Sequence, residues 1–455
     1  MVRQALKILY TRKDRIKEIE ELDMRKNGWK LAAMCLAGAI MLAGCGKETK
    51  QEVPEKIENE VTATPEPEIT EPEIMEPEIM EPEVMEPEVM EPGVTEPAEE
   101  VISLKEYCKD FFKLGVGING STLENLTLHS EEYMGMVKQH FNSCTMSNLM
   151  KSCYILKQDL SIENAKSGDG TPVLTYESID PTLQWCMDNG VGMRGHTLVW
   201  HAQAPDWFFR EGYTNDGEYV DKETMLFRME SYIKQLMTHV QDNFPGVVYC
   251  WDVVNEAVDP HFGDKNTAFS CRTQSEGNPD AIPNPWYITI GEDYVEMAFT
   301  YARKYAAEGV KLFYNDFNTY ENAKREYIYT LCKGLKEKGL IDGIGMQSHF
   351  SVNNNAVEIL MAVKKFCNAG YEVQMTELDI GMENKNPWYW KKQTTLYKEL
   401  FEGLVELKEE GYPITGVTVW GLSDTLTWRG GEYPLLFNTD LTPKDAYYAV
   451  LEGVK

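Results

Sequence analysis

The fold is decided by residues 247–257, which read VVYCWDVVNEA. The first eight of these residues are rich in Val, Tyr and Trp, a composition typical of a buried β-strand. The stretch then turns polar at Asn255 and Glu256. Similar apolar runs that end in polar side chains occur on both sides of it along the chain. This repetition predicts a parallel sheet whose strands carry functional groups at one edge.

Eight such strands are predicted between residue 101 and the C-terminus, with amphipathic helical patterns between them. The predicted strands span residues 114–119, 141–146, 192–200, 247–255, 311–315, 343–348, 372–377 and 416–421. The helical patterns include residues 231–243, 291–306, 326–338, 357–369 and 391–410. Alternation of this kind predicts an α/β fold, and a doubly wound open sheet would show it as well. Eight units in about 355 residues favour a (β/α)8 TIM barrel.

Charge is distributed unevenly along the 455 residues. The chain has 44 Lys and Arg against 73 Asp and Glu, a net charge of −29 at pH 7. Residues 1–50 carry +5, residues 51–100 carry −17, and the remainder carries −17. So acidic a chain is a poor ligand for nucleic acid or for an anionic membrane surface, and neither partner is expected.

Residues 1–45 are predicted to be an N-terminal extension with a signal peptide. A basic segment from Met24 precedes the uncharged stretch 31–43, which is the arrangement of a secretory signal. That stretch is shorter than the roughly 20 apolar residues of a membrane-spanning helix. The run LAGC at residues 42–45 resembles the lipobox of bacterial lipoproteins. It implies that Cys45 carries a lipid anchor on the outer face of the bacterial cell membrane. A soluble secreted protein is the alternative.

Residues 46–100 are predicted to form a disordered linker. Between Glu66 and Glu96 a five-residue unit recurs, as in EPEIM and EPEVM. Proline in every unit and dense negative charge oppose helix formation and collapse. The segment is therefore interpreted as a spacer, with the binding of a basic partner or of calcium as the alternative.

The ends of the predicted strands concentrate polar, ionisable and indole groups. In a TIM barrel the chemistry takes place at the carboxyl ends of the strands. These ends read RGHTLVWH at 194–201, WDVVNEA at 251–257, YND at 314–316, QSH at 347–349, TELD at 376–379 and VWG at 419–421. Polar groups at so many corresponding positions predict one shared site.

Two glutamates in these segments, Glu256 and Glu377, indicate the chemistry of that site. They lie three strands apart around the predicted barrel and so face each other across its mouth. The sequence has no Cys or His cluster at metal-ligand spacing, no phosphate loop and no nucleophile elbow, so neither metal nor cofactor is expected. Paired carboxylates flanked by indoles and amides are what glycoside hydrolysis requires.

Five segments, in this order along the chain, resemble the endo-β-1,4-xylanases of glycoside hydrolase family 10: residues 194–201, 254–257, 314–316, 347–349 and 376–379. The resemblance runs from about residue 105 to the C-terminus, and a catalytic domain is predicted at 101–455. It implies a retaining attack on xylan or xylo-oligosaccharides, with Glu256 as acid/base and Glu377 as nucleophile, their carboxyl groups about 5–5.5 Å apart. Negative charge on Glu377 is expected to raise the pKa of Glu256. A monomer is expected.

The resemblance also implies roles for neighbouring residues. Asn255 is expected to hydrogen-bond the 2-hydroxyl of the sugar at the cleavage point, and Gln347 to contact the acid/base. His349 and Asp379 are expected to form a chain that keeps the nucleophile ionised and oriented. The predicted substrate contacts are Asn148, Lys151, His196, Trp200, Trp420 and Trp428.

The chain departs from the family pattern at three places. Ser147 stands where the family usually has a glutamate, which removes a carboxylate expected to bind the sugar one place farther from the cleaved bond. Phe317 stands where a tyrosine is common, and the stretch 259–285 is longer than in many members. The missing glutamate leaves a retaining β-glucanase as an alternative. A further alternative is a non-catalytic xylan-binding protein. Such a protein would lack one of the paired glutamates, and this chain has both.

Overall fold

The computed structural model describes residues 102–118, 127–274 and 282–455. Within them it contains nine strands. They are β1 (Lys113–Ile118), β2 (Ser143–Met146), β3 (Gly192–Trp200), β4 (Val248–Asn255), β5 (Lys311–Asp316), β6 (Gly343–Met346), β7 (His349–Ser351), β8 (Glu372–Gly381) and β9 (Ile414–Val419).

Eight of these strands form a closed ring. From β1 to β6 each strand pairs in parallel with the next one along the chain. Strand β6 then pairs with β8, β8 with β9, and β9 with β1, also in parallel. The short β7 follows the sixth strand of the ring and pairs with β8. The predicted (β/α)8 TIM barrel is confirmed, and the open sheet is excluded because the ring has no free edge.

The observed strands overlap all eight predicted ones; the third, 192–200, agrees at both ends, and the other seven differ at one or both ends. The predicted sixth strand, 343–348, stops at Met346, and Ser348 has a left-handed backbone with φ 68°. The predicted seventh strand, 372–377, continues to Gly381. The predicted end of the first strand, at residue 119, lies outside the described residues.

Helices lie between the strands, and several begin at residues that favour helix starts. Asp221 caps the 22-residue helix Lys222–Asn243 by accepting a hydrogen bond from the Thr224 amide at 2.8 Å. Asn284 and Asn386 cap helices whose first residue is proline, the preferred residue at that position. The helices are Leu104–Cys108, Glu131–His140, Ser152–Ile155, Gln158–Ser167, Asp180–Asn189, Lys222–Asn243, Pro285–Ile290, Tyr294–Tyr305, Asn322–Glu337, Ala356–Asn368, Pro387–Glu409 and Asp445–Gly453, with short 3-10 helices at Thr127–His129, Asp206–Phe209 and Glu211–Tyr213.

Glycines in the ring make room for large side chains on neighbouring strands. Gly195 on β3 is paired with Trp251 on β4, and a Cβ atom at Gly195 would lie 2.3 Å from the indole. A Cβ atom at Gly117 on β1 would lie 3.0 Å from the ring of Trp420. Gly117 belongs to a Gly-x-Gly-x-x-Gly pattern at residues 115–120. In open sheets such a pattern follows the strand and binds dinucleotides, whereas here it begins inside β1 and accommodates an indole.

A buried polar layer crosses the interior of the ring beneath its carboxyl ends. Arg194 on β3 is fully buried and forms an ion pair with Asp252 on β4. It also donates to Gln374 Oε1, on β8 at the opposite side of the ring, at 2.6 Å. Asp252 Oδ2 lies 3.0 Å from His196 Nδ1. The layer therefore supports His196, one of the residues predicted to contact substrate.

The predictions for residues 1–45, including Cys45, and for residues 46–100 lie outside the described residues. The predicted start of the catalytic domain at residue 101 stays a prediction. Among the helices that the structure describes, none combines the length and the hydrophobicity of a membrane span.

We expect Gly195→Ala to destabilise the protein by about 1–3 kcal/mol, because the new methyl group overlaps the indole of Trp251 in a closely packed wall. Denaturant unfolding followed by circular dichroism measures this change. Gly135→Ala is the control, since a Cβ atom there, in the helix Glu131–His140, meets nothing within 4 Å. That variant should gain about 0.5–1 kcal/mol. Equal unfolding midpoints for both variants would contradict this account of Gly195.

Candidate active site

A cleft with a volume of about 680 Å³ opens at the carboxyl ends of the strands. Glu256 and Glu377 line it, together with Gln347 and His349. The residues predicted to contact the sugar line it as well: Asn148, Lys151, His196, Trp200, Asn255, Trp420 and Trp428. Asp379 is fully buried behind His349. The structure thus brings the residues predicted from strand ends and their loops together at one place.

Glu256 directly follows β4 and is held by three uncharged donors. Its Oε1 accepts from Gln347 Nε2 at 2.8 Å and from Asn255 Nδ2 at 3.2 Å. Its Oε2 accepts from Trp200 Nε1 at 3.1 Å. The ring of His201 lies 3.9 Å from the same Oε2. The carboxyl group is therefore oriented by residues that end three different strands.

The pKa of Glu256 lies below the ordinary value of a glutamate. Burial raises this pKa, but the charge of His201 and the amide hydrogen bond to Oε1 lower it. The cations of Arg272 and Lys324 act in the same direction. The expectation that Glu377 raises the pKa of Glu256 is wrong for the free protein, because cations and donors on its own side of the cleft outweigh burial.

Glu377, on β8, has different neighbours. Its Oε1 accepts from Asn315 Nδ2 at 2.8 Å, and its Oε2 lies 3.3 Å from His349 Nε2. The side chain is almost completely buried. The two carboxyl groups are thus chemically distinct, since Glu256 bonds to amide and indole donors whereas Glu377 lies against an imidazole.

His349 connects Glu377 to a buried aspartate. Its Nδ1 lies 2.9 Å from Asp379 Oδ2. Asp379 also accepts from Trp428 Nε1 at 2.9 Å and from Arg429 Nη1 at 2.7 Å. Burial lowers the pKa of His349, but Asp379 and Glu377 outweigh burial and raise the pKa to about 10. The imidazole is therefore a cation at neutral pH.

Asn315, at the end of β5, joins the two halves of the site, yet it is not among the residues predicted to function there. Its Nδ2 donates to Glu377 Oε1 at 2.8 Å and to Asn255 Oδ1 at 2.9 Å. Its Oδ1 accepts from Thr376 Oγ1 at 2.6 Å. The available signal was its position in the polar segment YND at the end of the fifth strand. Its contacts depend on how the closed ring places the end of β5 against Asn255 of β4 and Glu377 of β8, which the local pattern does not contain.

Lys151 lies buried on one flank of the cleft. Its Nζ donates to Gln203 Oε1 at 2.7 Å and to Asn148 Oδ1 at 3.2 Å, and it lies 4.6 Å from the ring centre of Trp200. Gln203 was not predicted, and it brings a second amide to this flank. Burial lowers the pKa of Lys151 to about 8, although the two glutamates act in the opposite direction.

Two indoles stand beside the paired glutamates. The ring centre of Trp420 lies 5.7 Å from that of His196 and 6.5 Å from that of His349. Trp428 is 65% exposed, and its ring centre lies 5.0 Å from that of His349. The hydrogen bond from Trp428 to Asp379 holds this exposed indole at the cleft. Flat apolar faces with a polar handle suit the stacking of sugar rings.

The departures from the family pattern also lie at or beside the cleft. Ser147 lines it and donates from Oγ to a backbone carbonyl of β1 at 3.2 Å. Phe317 lines it too, and Lys324 Nζ lies 3.5 Å from the centre of its ring. In the described part of the stretch 259–285, Cys271 forms antiparallel bridges that fold the chain back beneath Glu256.

A parallel (β/α)8 ring that presents one buried and one half-buried carboxyl group, amide donors and indoles at its mouth defines the site of a glycoside hydrolase. The profile of glycosyl hydrolase family 10 matches residues 103–453. The chain therefore belongs to this family.

The chain is similar to xylanases of known sequence and structure. It is 37% identical over 360 residues to endo-1,4-β-xylanase B of Butyrivibrio fibrisolvens, a match that covers 77% of this chain and 53% of that protein. It is 39% identical over 363 residues to endo-1,4-β-xylanase A of Thermotoga maritima, covering 78% of this chain and 31% of that protein. The chain thus spans about half and about a third of the length of these curated relatives.

Among solved structures, the chain resembles the CBM22-1 and GH10 modules of endo-1,4-β-D-xylanase 10B of Clostridium thermocellum in complex with xylohexaose. The sequence identity is 35% and the TM-score is 0.69, and the match covers 78% of this chain and 68% of that chain.

We expect the affinity of the cleft for its sugar substrate to fall above pH 8. The lowered pKa of Lys151, about 8, means that its ammonium is charged below that pH and neutral above it. Loss of a charge-assisted hydrogen bond, about 1.5–3 kcal/mol, should raise KM at least tenfold between pH 7 and pH 10. Steady-state kinetics across this range measure the change. Lys151→Met is the control, and its KM should already be high at pH 7. If KM of Lys151→Met still rose between pH 7 and pH 10 as in the wild type, Lys151 would not be the group responsible.

Proposed function

We propose that the chain is a retaining endo-β-1,4-xylanase, which hydrolyses internal β-1,4-xylosidic bonds of xylan by double displacement. The observation that carries this proposal is the difference between two carboxyl groups in one cleft. Glu377 lies against the cationic His349, and Glu256 is held by neutral donors beside it. Retaining glycosidases need one carboxylate as nucleophile and a second carboxyl group that exchanges a proton. Family membership and the xylanase relatives support the substrate class.

In the first step Glu377 attacks the anomeric carbon and Glu256 gives a proton to the departing oxygen. Before the attack His349 is a cation, because its pKa is about 10 while Glu377 is ionised, and with Asp379 it orients the attacking carboxylate. In the free protein the pKa of Glu256 is low. A sugar chain that fills the cleft excludes water from Glu256, and such burial raises a carboxyl pKa. Protonation of the acid is therefore favoured in the complex.

Asn255 is oriented to recognise the sugar during this step. Its Oδ1 accepts from Asn315 at 2.9 Å and from Gln347 at 3.1 Å, which determines which end of the amide faces the cleft. One N–H of its Nδ2 reaches Glu256, and the second is available for the 2-hydroxyl of the sugar. A hydrogen bond to this hydroxyl strengthens as positive charge develops on the ring.

In the second step water replaces Glu377 at the anomeric carbon. The negative charge of Glu377 is absent while it is esterified, and Glu256 accepts the proton of the attacking water. A low pKa of the free carboxyl group means that Glu256 is readily ionised for this role. The configuration at the anomeric carbon is thereby retained.

Substitution of either glutamate is expected to impair xylan hydrolysis, to different extents and for different reasons. Glu256→Ala should lower kcat by about 10²–10⁴-fold, the usual contribution of a general acid/base. Glu377→Ala should reduce the rate to background because no covalent intermediate forms. Reducing-sugar release from xylan measures both, and NMR of the first product of the wild type should show the β-anomer.

The control for these variants is Glu406→Ala, which removes an exposed glutamate from the helix Pro387–Glu409. It should keep wild-type activity. Full activity in both cleft variants would contradict the assignment of the catalytic pair. Faster hydrolysis of carboxymethylcellulose than of xylan by the wild type would favour a β-glucanase. This alternative is open because Ser147 replaces the glutamate that the family usually has at this position.

We also propose that the protein is exported and held as a monomer at the outer face of the bacterial cell membrane by a lipid on Cys45. The signal-like stretch at 31–43 and the run LAGC at 42–45 support this proposal. The acidic repeat that follows is suited to act as a spacer, because residues 51–100 carry a net charge of −17 and repel one another. The barrel would then reach polymeric substrate outside the cell.

We expect Cys45→Ser to release the protein from the membrane fraction of expressing bacteria. Without the thiol, no lipid can be attached, and a linker this polar has no affinity of its own for lipid. Fractionation and intact-mass measurement of detergent-extracted protein check this. Cys35→Ser, inside the apolar stretch of the signal, is the matched control and should stay membrane-bound. An unmodified Cys45 in the wild type would contradict the anchor.

A further inference from the structure

The backbone of Glu256 adopts a conformation that a non-glycine residue rarely takes. Its φ is +59°, in the left-handed region. Such a conformation persists where surrounding contacts hold it in place, and it is concentrated at functional sites. The amide of Glu256 donates to the Asn315 carbonyl at 2.9 Å, and its own carbonyl accepts from Arg272 Nε at 2.8 Å. Both backbone polar groups are therefore fixed by residues distant in sequence.

Arg272 holds more of the same segment. Its Nη1 lies 3.3 Å from Asp259 Oδ2, and its Nη2 donates to the Val258 carbonyl at 3.5 Å. The Arg272 amide donates to the Ala257 carbonyl at 2.8 Å. The side chain is only 4% exposed and does not line the cleft. One arginine thus contacts every residue from 256 to 259 and keeps clear of the substrate.

Asp259 anchors the guanidinium in turn. Its Oδ1 accepts from the amides of His261 and Phe262, each at 3.0 Å. The Arg272 carbonyl accepts from Asn284 Nδ2 at 2.9 Å. The arginine is therefore fixed at both ends within the long loop that follows β4, so that a displacement of this loop would move Glu256.

We propose that Arg272 is a positioning residue for proton transfer: through the carbonyl of Glu256 it holds the left-handed backbone that directs this carboxyl group at the departing oxygen. This inference rests on the proposed function, in which Glu256 is the acid/base. Nucleophilic attack by Glu377 does not depend on Arg272, because the nucleophile belongs to β8 and has its own partners.

The geometry calls for arginine and not only for positive charge. The three nitrogens of a guanidinium point in different directions, and here each meets a different acceptor. A lysine ammonium at this position can replace the charge but cannot bond to three separated acceptors at once. Arg272→Lys therefore separates orientation from electrostatics.

Charged groups around Glu256 come from several elements. They are His201 after β3, Arg272 and Asp259 in the loop after β4, Asp316 on β5, Lys324 on the helix Asn322–Glu337, and His349, Glu377 and Lys151 across the cleft. Asp316 and Lys324 form an ion pair at 2.8 Å. Because Arg272 is one of the cations that lower the pKa of Glu256, its neutral replacement should raise that pKa.

The test uses aryl β-xylobiosides whose leaving groups differ in acidity, with the full chain as Arg272→Met and Arg272→Lys. Dinitrophenolate leaves without a proton, so kcat/KM of the variants for the dinitrophenyl substrate should stay within about twofold of the wild-type value. Phenolate is a poor leaving group and needs a proton from the acid. For the phenyl substrate, kcat/KM of the variants should therefore fall about 10- to 100-fold, which is part of the usual contribution of a general acid. The same split should appear in Arg272→Lys.

Two further readouts separate positioning from a general loss of structure. Azide, which needs no general base, should accelerate turnover of the dinitrophenyl substrate in both variants but not in wild type. The alkaline limb of kcat/KM against pH should move to higher pH in Arg272→Met, because a raised pKa keeps the acid protonated longer, and should stay in place in Arg272→Lys. Arg303→Met is the control, since it breaks another arginine–aspartate ion pair, the half-buried one with Asp342 at 2.6 Å, away from the cleft.

If kcat/KM of the Arg272 variants fell equally for both substrates, and azide did not accelerate turnover, the proposal would be overturned and Arg272 would be a structural residue. Recovery of wild-type kinetics in Arg272→Lys would overturn it as well, because charge alone would then suffice. If Arg272→Met does not fold, Asp259→Asn loosens the guanidinium and should show the same split more weakly. A wild type that cleaves neither xylan nor aryl xylobiosides would instead contradict the proposed function itself.

Discussion

The closure of eight parallel strands into one ring is the constraint on which the site depends. Parallel strands end on the same side, so closure gathers their polar ends around a single mouth. Pairing then decides which of these ends touch. Asn255 of β4 lies in register with Asn315 of β5, and Asn315 bonds to Glu377 on β8. A slip of one residue in β5 would turn Asn315 to the other face of the sheet and separate the two halves of the site.

Two identical side chains acquire different chemistry because the ring surrounds them with different neighbours. Glu377 lies against an imidazole that Asp379 keeps positively charged, since the pKa of His349 is raised to about 10. Glu256 is bonded by amide and indole hydrogens, and its backbone is held in a left-handed conformation. These polar groups are buried or half-buried, and they are stable there because each has partners. The ion pair of Arg194 beneath the mouth extends this support into the barrel interior.

Residues in segments that carry the family pattern could be predicted from the sequence, whereas roles that depend on contacts across strands, as for Asn315, or on the path of a long loop, as for Arg272, could not. Glu256, Glu377 and His349 occur in segments with a recognisable pattern, and the structure places them in one cleft. Arg272 lies in a long loop that folds back toward Glu256 through backbone pairing, including the bridges of Cys271. The direction of the pKa shift of Glu256 was wrongly expected for the same reason. The cations responsible arrive from a neighbouring strand, a loop and a helix.

The sequence by itself determined the alternation of strands and helices, the polar strand ends that mark a glycoside hydrolase, and the acidic, proline-rich composition of residues 46–100. These properties are local, because burial, propensity and charge density are expressed within a few neighbouring residues. Only the tertiary structure decided that Asn315 bridges the two carboxyl groups, that Arg272 holds the backbone of Glu256, and that the pKa of Glu256 is lowered. Hydrogen bonds and ionisation equilibria depend on distances of a few ångströms between groups far apart in the chain, and such distances exist only once the ring has closed.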